Sequence, residues 1–367
     1  MKFSCYKKDL VEALQFALYA VATKPQTPIT AGIYLKAEGA RLELQANDFS
    51  TGIITHIPVN VEESGATVVI GKRFVEFVRS MPNDTITFSE EGNSLKLSSG
   101  GASVELLTMA PEDFPTVKTP DADNEIKISA PTLRNLIRKT IYAATAKDES
   151  RPIFTGVLFQ IDDDNITAVA TNTHRLAFAK DTLDTPADKK EFVIPASTLN
   201  ALVNRLDPKS HDIITVGYTN NTATFQLGDA LMTSRIIEGT FPPYNKIFPA
   251  ESATHVDVDA DEFKRVINFI AVMAKEAEYN TVKLIIDEDG IEISANSQQV
   301  GDARQSVDAQ VSGDDVAINF NVNYILDVLR VIDGKKIHLA FNDKFSPAKI
   351  TDIDDDNFVY IVTPVRG

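Results

Sequence analysis

The sequence predicts an α+β protein made of three tandem copies of one domain, each with two helices packed on antiparallel sheets. Three observations support this fold class. A strand followed by a helix recurs near residues 3, 126 and 256, a second helical segment recurs at a fixed spacing, and the same hairpin pattern stands between them. Copies of roughly 120 residues suit the size of an ordinary domain.

The first helix of each copy is predicted from an i, i+3, i+4 apolar stripe that follows a short strand. The strand residues are Phe3, Ile126 and Val256, and the stripes are Leu10, Ala13 and Leu14; Leu133, Leu136 and Ile137; and Phe263, Val266 and Ile267. The middle helix is predicted over residues 131–142.

A hairpin is predicted after each first helix, because two segments of period-two apolar residues flank a turn. The turns are predicted at Glu38-Gly39, Asp162 to Asn165 and Asp287 to Gly290. The second strand of each hairpin ends in a small residue followed by asparagine, in the pairs Ala46-Asn47, Thr171-Asn172 and Ala295-Asn296. This recurrence favours a true repeat over three unrelated α+β domains.

The second helices are predicted at residues 72–81, 197–206 and 322–332. Each follows one of the dipeptides Ile70-Gly71, Ile194-Pro195 and Ile318-Asn319, which stand 124 positions apart. Further strands follow each helix. A period this long indicates whole repeated domains, since solenoid units span about 20–50 residues.

The predicted domains are 1–120, 121–250 and 251–367, with linkers at Asp121 to Asn124 and Ala250 to Ser252. Three similar units that follow one another with the same handedness form an arc. If that arc is half of a closed ring, two chains complete it through two identical interfaces.

Composition restricts the function. The net charge of −16 argues against a nucleic-acid partner unless the charge is segregated by surface. A single cysteine, Cys5, excludes an intrachain disulfide and suggests a reducing cytoplasm, and we expect a small buried strand residue there rather than a reactive thiol. The sequence has no apolar run of about 18 residues that would span a membrane, and its first residues lack the apolar region of a signal peptide.

The basic residues concentrate on the predicted helices, whereas acidic residues crowd the turns. A helix surface with this bias would attract a phosphate backbone without sequence preference. The residues predicted to face DNA are Lys24, Lys72, Arg73, Arg79, Arg134, Arg138, Lys139, Arg205, Lys264, Arg265 and Lys275. An ordinary solvated helix surface is the alternative for any one of them.

No catalytic motif is present: the sequence has no phosphate-binding loop, no His-Glu-x-x-His, no cysteine pair and no Gly-x-Ser-x-Gly. We therefore predict no enzyme activity, no cofactor and no metal. The aspartate-rich turns lack the alternating ligand spacing of a calcium loop. Solvated turns are favoured there.

Several motifs together resemble one family over the whole chain. They are residues 171–177 (TNTHRLA), 241–244 (FPPY), 321–329 (NVNYILDVL) and 362–366 (VTPVR). The chain resembles the bacterial DNA polymerase III β subunit, the sliding clamp. The resemblance implies three DNA-clamp domains forming half of a head-to-tail homodimeric ring around duplex DNA. It also implies tethering of the replicative polymerase, a clamp loader that uses ATP, other partners with a clamp-binding motif, and no catalysis.

The resemblance also implies a partner-peptide pocket between the second and third domains. The residues that match the family's pocket are Phe154, Thr171, Thr173, His174, Arg175, Leu176, Pro242, Lys246, Ile247, Tyr324, Ser346, Pro347, Val362, Pro364, Val365 and Arg366. Leu176, Ile247, Val362 and Pro364 are expected to form an apolar floor, and His174, Arg175 and Arg366 to supply donors at the rim. The chain departs from the family at Asn172-Thr173, where Asp-Gly is common, at Lys246, and at Thr363 and Gly367.

Two other functions remain as alternatives. One is a metal-dependent phosphoesterase that uses the acidic turns. The other is a repeat scaffold that binds an acidic protein rather than DNA.

Overall fold

A computed structural model describes residues 1–119, 124–249 and 251–365. The chain divides into two compact units, of which the first contains Met1–Pro131 and Ser197–Ile236 and the second contains Thr132–Ala196 and Ile237–Gly367. The second sequence repeat is thus shared between the units. The predicted linkers fall largely on residues 120–123 and 250, outside the described residues.

The first repeat contains two helices and nine strands within the described residues. They are β1 (Lys2–Tyr6), α1 (Lys7–Ala17), β2 (Gly32–Glu38), β3 (Arg41–Asn47), β4 (Thr51–Pro58), β5 (Asn60–Glu63), β6 (Gly65–Ile70), α2 (Gly71–Ser80), β7 (Thr85–Glu91), β8 (Ser94–Ser99) and β9 (Ala102–Met109).

The second repeat continues with β10 (Asn124–Ser129), α3 (Ala130–Thr140), β11 (Gly156–Thr171), β12 (Arg175–Pro195), α4 (Ala196–Val203), β13 (Ile213–Tyr218), β14 (Thr222–Leu227) and β15 (Ala230–Arg235). The third contains β16 (Thr254–Asp259), α5 (Ala260–Ala274), β17 (Thr281–Asp287), β18 (Gly290–Ser297), β19 (Gly301–Val307), β20 (Ala309–Gly313), β21 (Val316–Asn321), α6 (Val322–Leu329), β22 (Lys336–Phe341), β23 (Ala348–Asp352) and β24 (Asp355–Val362).

The predicted strand-to-helix segments are confirmed in all three repeats. Their apolar stripes are buried, from Leu10 and Leu14 in α1 to Val266 and Ile267 in α5. In the first unit α1 packs against α2, β3 and β4, and in the second α5 packs against α6, β18 and β19. Burial of these stripes stabilises the helices more than their intrinsic propensity does.

Two of the second helices end earlier than predicted. Helix α4 ends at Val203, where the amide of Arg205 donates to the carbonyl of Leu202 in a tighter turn. Helix α6 ends at Leu329 and is followed by similar i→i−3 bonds from Arg330 and Val331. Such turns commonly tighten the last residues of a helix, which apolar periodicity does not reveal.

The hairpins of the first and third repeats are confirmed, but the predicted turn at Asp162 to Asn165 is wrong as a strand boundary. Strand β11 is 16 residues long, continues through the predicted turn and pairs with β12. The pairing is irregular on both sides of Asp163, whose φ is 60°. A bulge-like irregularity of this kind accommodates the acidic residues, and pairing with β12 continues on both sides of it.

Strand pairing joins neighbouring repeats inside each unit. In the first unit β15 of the second repeat pairs antiparallel with β4 of the first, within a 13-stranded sheet. In the second unit β24 of the third repeat pairs with the first residues of β12, within a seven-stranded sheet. A separate four-stranded sheet has the order β19-β18-β17-β21.

Cys5 lies buried in β1, and burial raises the pKa of its thiol to about 12. A thiol this far from ionisation is a poor nucleophile. This agrees with the expectation of a structural strand residue.

Candidate partner-binding cleft and basic helices

A cleft of about 640 Å³ lies in the second unit, where the end of β24 meets the β11–β12 loop and the start of α6. It is lined by Thr173, His174, Tyr279, Asn321, Tyr324, Phe345, Pro347, Thr363, Pro364 and Val365. The structure thus brings together six predicted residues: Thr173, His174, Tyr324, Pro347, Pro364 and Val365.

Side-chain bonds to the backbone shape the β11–β12 loop. The Oδ1 atom of Asn172 accepts from the amides of His174 and Arg175, at 3.0 Å each. The hydroxyl of Thr171 donates to the carbonyl of Arg175 and accepts from the amide of Thr173. An asparagine that bonds the backbone two residues on promotes a tight turn, so the His174 side chain is held at the wall of the cleft.

Thr173 adopts a φ of 74°, a left-handed conformation that a β-branched residue disfavours. We expect Thr173→Gly to stabilise the second unit by up to about 1 kcal/mol, because relief of roughly 1–2 kcal/mol of backbone strain exceeds the entropy that glycine adds to the unfolded chain. Urea unfolding followed by circular dichroism measures the change. The control is Thr363→Gly at a residue without a positive φ, where no strain is relieved and a hydroxyl bond is lost, so this variant should be destabilised. A Thr173→Gly variant that unfolds at clearly lower urea than wild type would contradict the expectation.

The C-terminal segment is fastened along one side of the cleft. Both the amide and the hydroxyl of Thr363 donate to the carbonyl of His174, at 2.9 and 3.0 Å. The amide of Val365 donates to the carbonyl of Asn319 at 2.8 Å. The Thr363 bonds extend the β12–β24 ladder, the Val365 bond ties the segment to β21, and together they hold Pro364 and Val365 as preformed cleft surface. Arg366 lies outside the described residues.

Arg175 is a correction to the predicted rim. Its side chain is only 9% exposed and pairs with Asp327 at 2.7 Å, and it also donates to the carbonyl of Tyr142. Its guanidinium lies over the ring of Tyr324 at 4.5 Å and that of Tyr142 at 5.6 Å. Arg175 therefore supports the cleft wall from behind.

The charge of Arg175 is retained despite its burial. Burial by itself would lower the pKa of the guanidinium, but Tyr360 and Asp327 oppose this and the net pKa is raised. Burial raises the pKa of Tyr360, so its hydroxyl stays protonated and donates to the carbonyl of Tyr324. These contacts fix the backbone and the ring of Tyr324.

Two of the four residues of the predicted apolar floor do not line the cleft. Leu176 is 2% exposed and Val362 is fully buried, and both lie beneath its surface. Leu176 packs with Phe241 and Tyr244 in the core behind the cleft. Successive strand residues point to opposite sheet faces, so a motif can name the correct strand while including its inward-facing members.

The remaining predicted residues do not line the cleft. Phe154 is buried against Phe241, and Thr171 is buried in the loop that it stabilises. Ser346 donates to Asp343 at 2.8 Å, while Pro242, Lys246 and Ile247 lie in or beside the 3₁₀ segment Tyr244–Ile247. Ile247 is exposed, as an apolar binding residue would be.

Four lining residues are absent from the predicted pocket: Tyr279, Asn321, Phe345 and Thr363, the last of which was named only as a departure from the family. Tyr279 and Phe345 are largely exposed, and an exposed aromatic side chain has no periodic signal in a sequence. Asn321 caps α6 by accepting from the amide of Asn323, and it is the first residue of the motif at 321–329 that indicated the family.

The predicted DNA-facing residues fall into two groups. Five form ion pairs: Arg73 with Glu76, Arg138 with Asp333, Lys139 with Asp355, Arg205 with Glu12, and Arg265 with Glu262. Across residues 1–119, 124–249 and 251–365, no carboxylate pairs with the other six: Lys24, Lys72, Arg79, Arg134, Lys264 and Lys275.

Lys139 is a second correction, because a residue that is 7% exposed and bonded to Asp355 cannot face DNA. It stands three residues after Leu136 and one before Thr140, on the buried stripe of α3. Its pairing has an electrostatic effect: burial would raise the pKa of Asp355, but the bond from Lys139 and the Asn357 amide lower it overall.

The acidic turns form no metal site within the described parts of the chain, where no group of three or more potential ligands comes together. Asp162 instead pairs with Lys189 at 2.7 Å on the surface. This geometry does not favour the phosphoesterase alternative.

Comparison with known proteins assigns the family. Models of the DNA polymerase III beta subunit match as N-terminal domain over residues 1–118, central domain over 127–243 and C-terminal domain over 245–366. The chain belongs to the bacterial β sliding clamp family. The beta sliding clamp of Bacillus subtilis (strain 168) is 31% identical over 378 residues, and that of Vibrio cholerae is 27% identical over 369, with all of each chain covered.

Solved structures agree with this assignment. The sliding clamp of B. subtilis has a TM-score of 0.92 at 30% identity, and the match covers 100% of this chain and 99% of that one. The DNA polymerase III beta subunit of Thermotoga maritima has a TM-score of 0.92 at 26% identity with the same coverage. The α+β fold of three clamp domains is therefore confirmed.

The protein is a DNA sliding clamp, and its family comprises processivity factors rather than enzymes. Neither alternative function is supported. No helix in the described portion of the chain is long and apolar enough to cross a membrane.

Proposed function

We propose that two copies of the chain close head-to-tail into a ring around duplex DNA and hold the replicative polymerase through the cleft of the second unit. One observation carries the closure: neighbouring repeats are joined twice by the same strand pairing, β15 to β4 and β24 to β12. In each pairing the last strand of one repeat meets a strand of the repeat before it. The strands left over for a contact between two chains are β9, the last strand of the first repeat, and β19, which in the third repeat corresponds to β4 and β12. Each has a free edge that a second chain can occupy.

The free edges have the properties that strand addition needs. Strand β19 is the edge of its four-stranded sheet. Strand β9 pairs with β8 along its length but meets β6 only at Thr108 and Met109. Leu107 on β9 is 82% exposed, and Phe269 and Val272 on α5, which packs on β19, are 55% and 74% exposed. A heterologous contact of this kind forms a ring when its rotation closes after two chains.

The contact with DNA rests on the six basic residues without carboxylate partners. A chain with a net charge of −16 can hold DNA only where positive charge is segregated, and contacts to phosphates alone confer no sequence preference.

Retention of the protein on DNA is proposed to depend on the closed ring. After loading, the protein should stay on a closed DNA circle and leave when the circle is cut, and equal retention on linear DNA would overturn the ring proposal.

The cleft is proposed to bind an extended partner peptide through apolar anchors. Its walls combine exposed aromatic rings, two tail residues held by backbone bonds, and His174 as a polar group at the edge. A few anchors in a preformed groove account for most of the affinity of such contacts. Polymerase, clamp loader and other motif-bearing proteins would then compete for the same cleft.

We expect Phe345→Ala and Tyr279→Ala each to weaken binding of a labelled peptide that carries the polymerase's clamp-binding motif by about tenfold or more, the effect of losing an aromatic contact worth roughly 1.4 kcal/mol. Fluorescence polarisation measures the affinity. Both rings are exposed, so the fold should be unaffected. Tyr6→Ala removes a comparably exposed ring of the first repeat and should bind normally, and unchanged binding by both cleft variants would refute this site.

Deleting residues 363–367 should abolish stimulation of the polymerase while the dimer remains, because Thr363, Pro364 and Val365 form one side of the cleft. We further propose a cytoplasmic location and domain boundaries at 1–120, 121–250 and 251–367. The single buried cysteine supports the location.

A further inference from the structure

The third repeat contains a pair of histidines that the clamp function does not use. His255 on β16 and His338 on β22 lie diagonally across adjacent antiparallel strands, since His255 stands opposite Ala340 and Asp257 opposite His338. Their ring planes are inclined by 27° with centroids 5.3 Å apart, so the rings approach each other edge to edge. The Nδ1 atom of His255 is 3.2 Å from the Nε2 atom of His338.

The outer nitrogen of each ring already has an acceptor. The Nε2 atom of His255 lies 3.1 Å from the carbonyl of Ser252, and the Nδ1 atom of His338 lies 2.6 Å from Oδ1 of Asp257. A carbonyl and a carboxylate can only accept, so both outer nitrogens must carry hydrogen. In the neutral rings the two inner nitrogens are then both bare, and their lone pairs face each other.

Two facing lone pairs repel unless a cation lies between them. We propose that His255 and His338 form a binding site for a divalent transition-metal ion, of which Zn²⁺ is the representative. Two zinc–nitrogen bonds of about 2.05 Å that span the observed 3.2 Å enclose an angle of roughly 100°, within the range of tetrahedral coordination. Water would supply the remaining ligands, since both rings are accessible to solvent.

Asp257 is a positioning residue rather than a ligand. Its carboxylate bonds the far side of the His338 ring, as in the carboxylate–histidine–zinc arrangement that fixes the tautomer of a metal ligand. The residues directly opposite on the outer strands are uncharged: His255 faces Ser312 on β20, Asp257 faces Gln310, and His338 faces Thr351 on β23, while Lys349 lies diagonal to His338 on that strand. The preference is therefore for a metal that imidazole binds well, not for Mg²⁺ or Ca²⁺.

The test is calorimetric titration of Zn²⁺ into the full chain without a histidine tag, in excess Mg²⁺ to occupy the acidic surface. We expect one saturable Zn²⁺ per chain. His255→Gln and His338→Gln should each abolish it, whereas His211→Gln, at another exposed histidine, should leave it unchanged. Asp257→Ala should weaken binding by about 10- to 100-fold.

A second readout identifies the ligands directly. Cu²⁺, which such sites bind more tightly than Zn²⁺, should show hyperfine coupling to two imidazole nitrogens in its paramagnetic resonance spectrum. Circular dichroism of metal-free variants checks that the fold is intact. Binding that Mg²⁺ displaces, binding that survives in both histidine variants, or no saturable binding would each overturn the site and leave the histidines sharing a proton.

Discussion

Leu107→Glu should convert the proposed dimer to monomers. The ring has two identical contacts, so the substitution acts twice, and each contact loses the burial of a leucine, worth roughly 1.5–3 kcal/mol, and gains a carboxylate to desolvate. A combined loss of about 6 kcal/mol corresponds to roughly a 10⁴-fold weaker dimer. Size-exclusion chromatography with light scattering measures the mass.

The matched control is Ile353→Glu, which places the same charge at an exposed isoleucine in the turn between β23 and β24. This variant should remain dimeric. Val272→Glu on α5 approaches the contact from the other side and should resemble Leu107→Glu. A Leu107→Glu variant that keeps the wild-type mass would show that β9 does not meet β19 in the way proposed.

Asp327→Ala should destabilise the second unit by about 3 kcal/mol, at the lower end of the range for breaking a buried ion pair, because Asp327 is itself partly exposed. The loss leaves the Arg175 guanidinium buried without its carboxylate. Unfolding in urea is best followed by circular dichroism, since the chain contains no tryptophan. The transition of the second unit should move to lower urea.

The comparison variant is Asp162→Ala, which breaks the solvent-screened surface pair with Lys189 and should leave the urea midpoint nearly unchanged. The double variant Arg175→Met/Asp327→Leu should recover much of the loss, because apolar residues of similar volume often replace a buried pair at little cost. Equal, small shifts for Asp327→Ala and Asp162→Ala would refute a structural role for the Arg175 pair.

The sequence predicted the repeating strands and helices well because their signals are local. An apolar stripe such as Phe263, Val266 and Ile267 identifies its own helix and buried side without reference to the rest of the chain. The irregularity at Asp163 and the early end of α4 were missed, because backbone bonds of the folded chain determine them.

The candidate site was predicted less completely. The motif at residues 171–177 located the correct loop, but it could not separate His174, which lines the cleft, from Leu176, which lies in the core behind it. Tyr279 and Phe345 join the cleft from distant segments. Their exposure is visible only once those segments are placed.

The sequence by itself determined that this protein is built from three α+β repeats, and its motifs indicated the family, because periodicity and motif order are properties of the chain. Only the tertiary structure decided which basic side chains are free of acidic partners and so available to bind DNA. Arg138 and Lys139 meet acids 195 and 216 positions away, whereas Arg134 on the same helix has no such partner within the described residues. The same dependence on distant strands created the facing histidines. Ion pairing and ligand geometry require side chains to be neighbours in space, and a linear sequence does not record that distance.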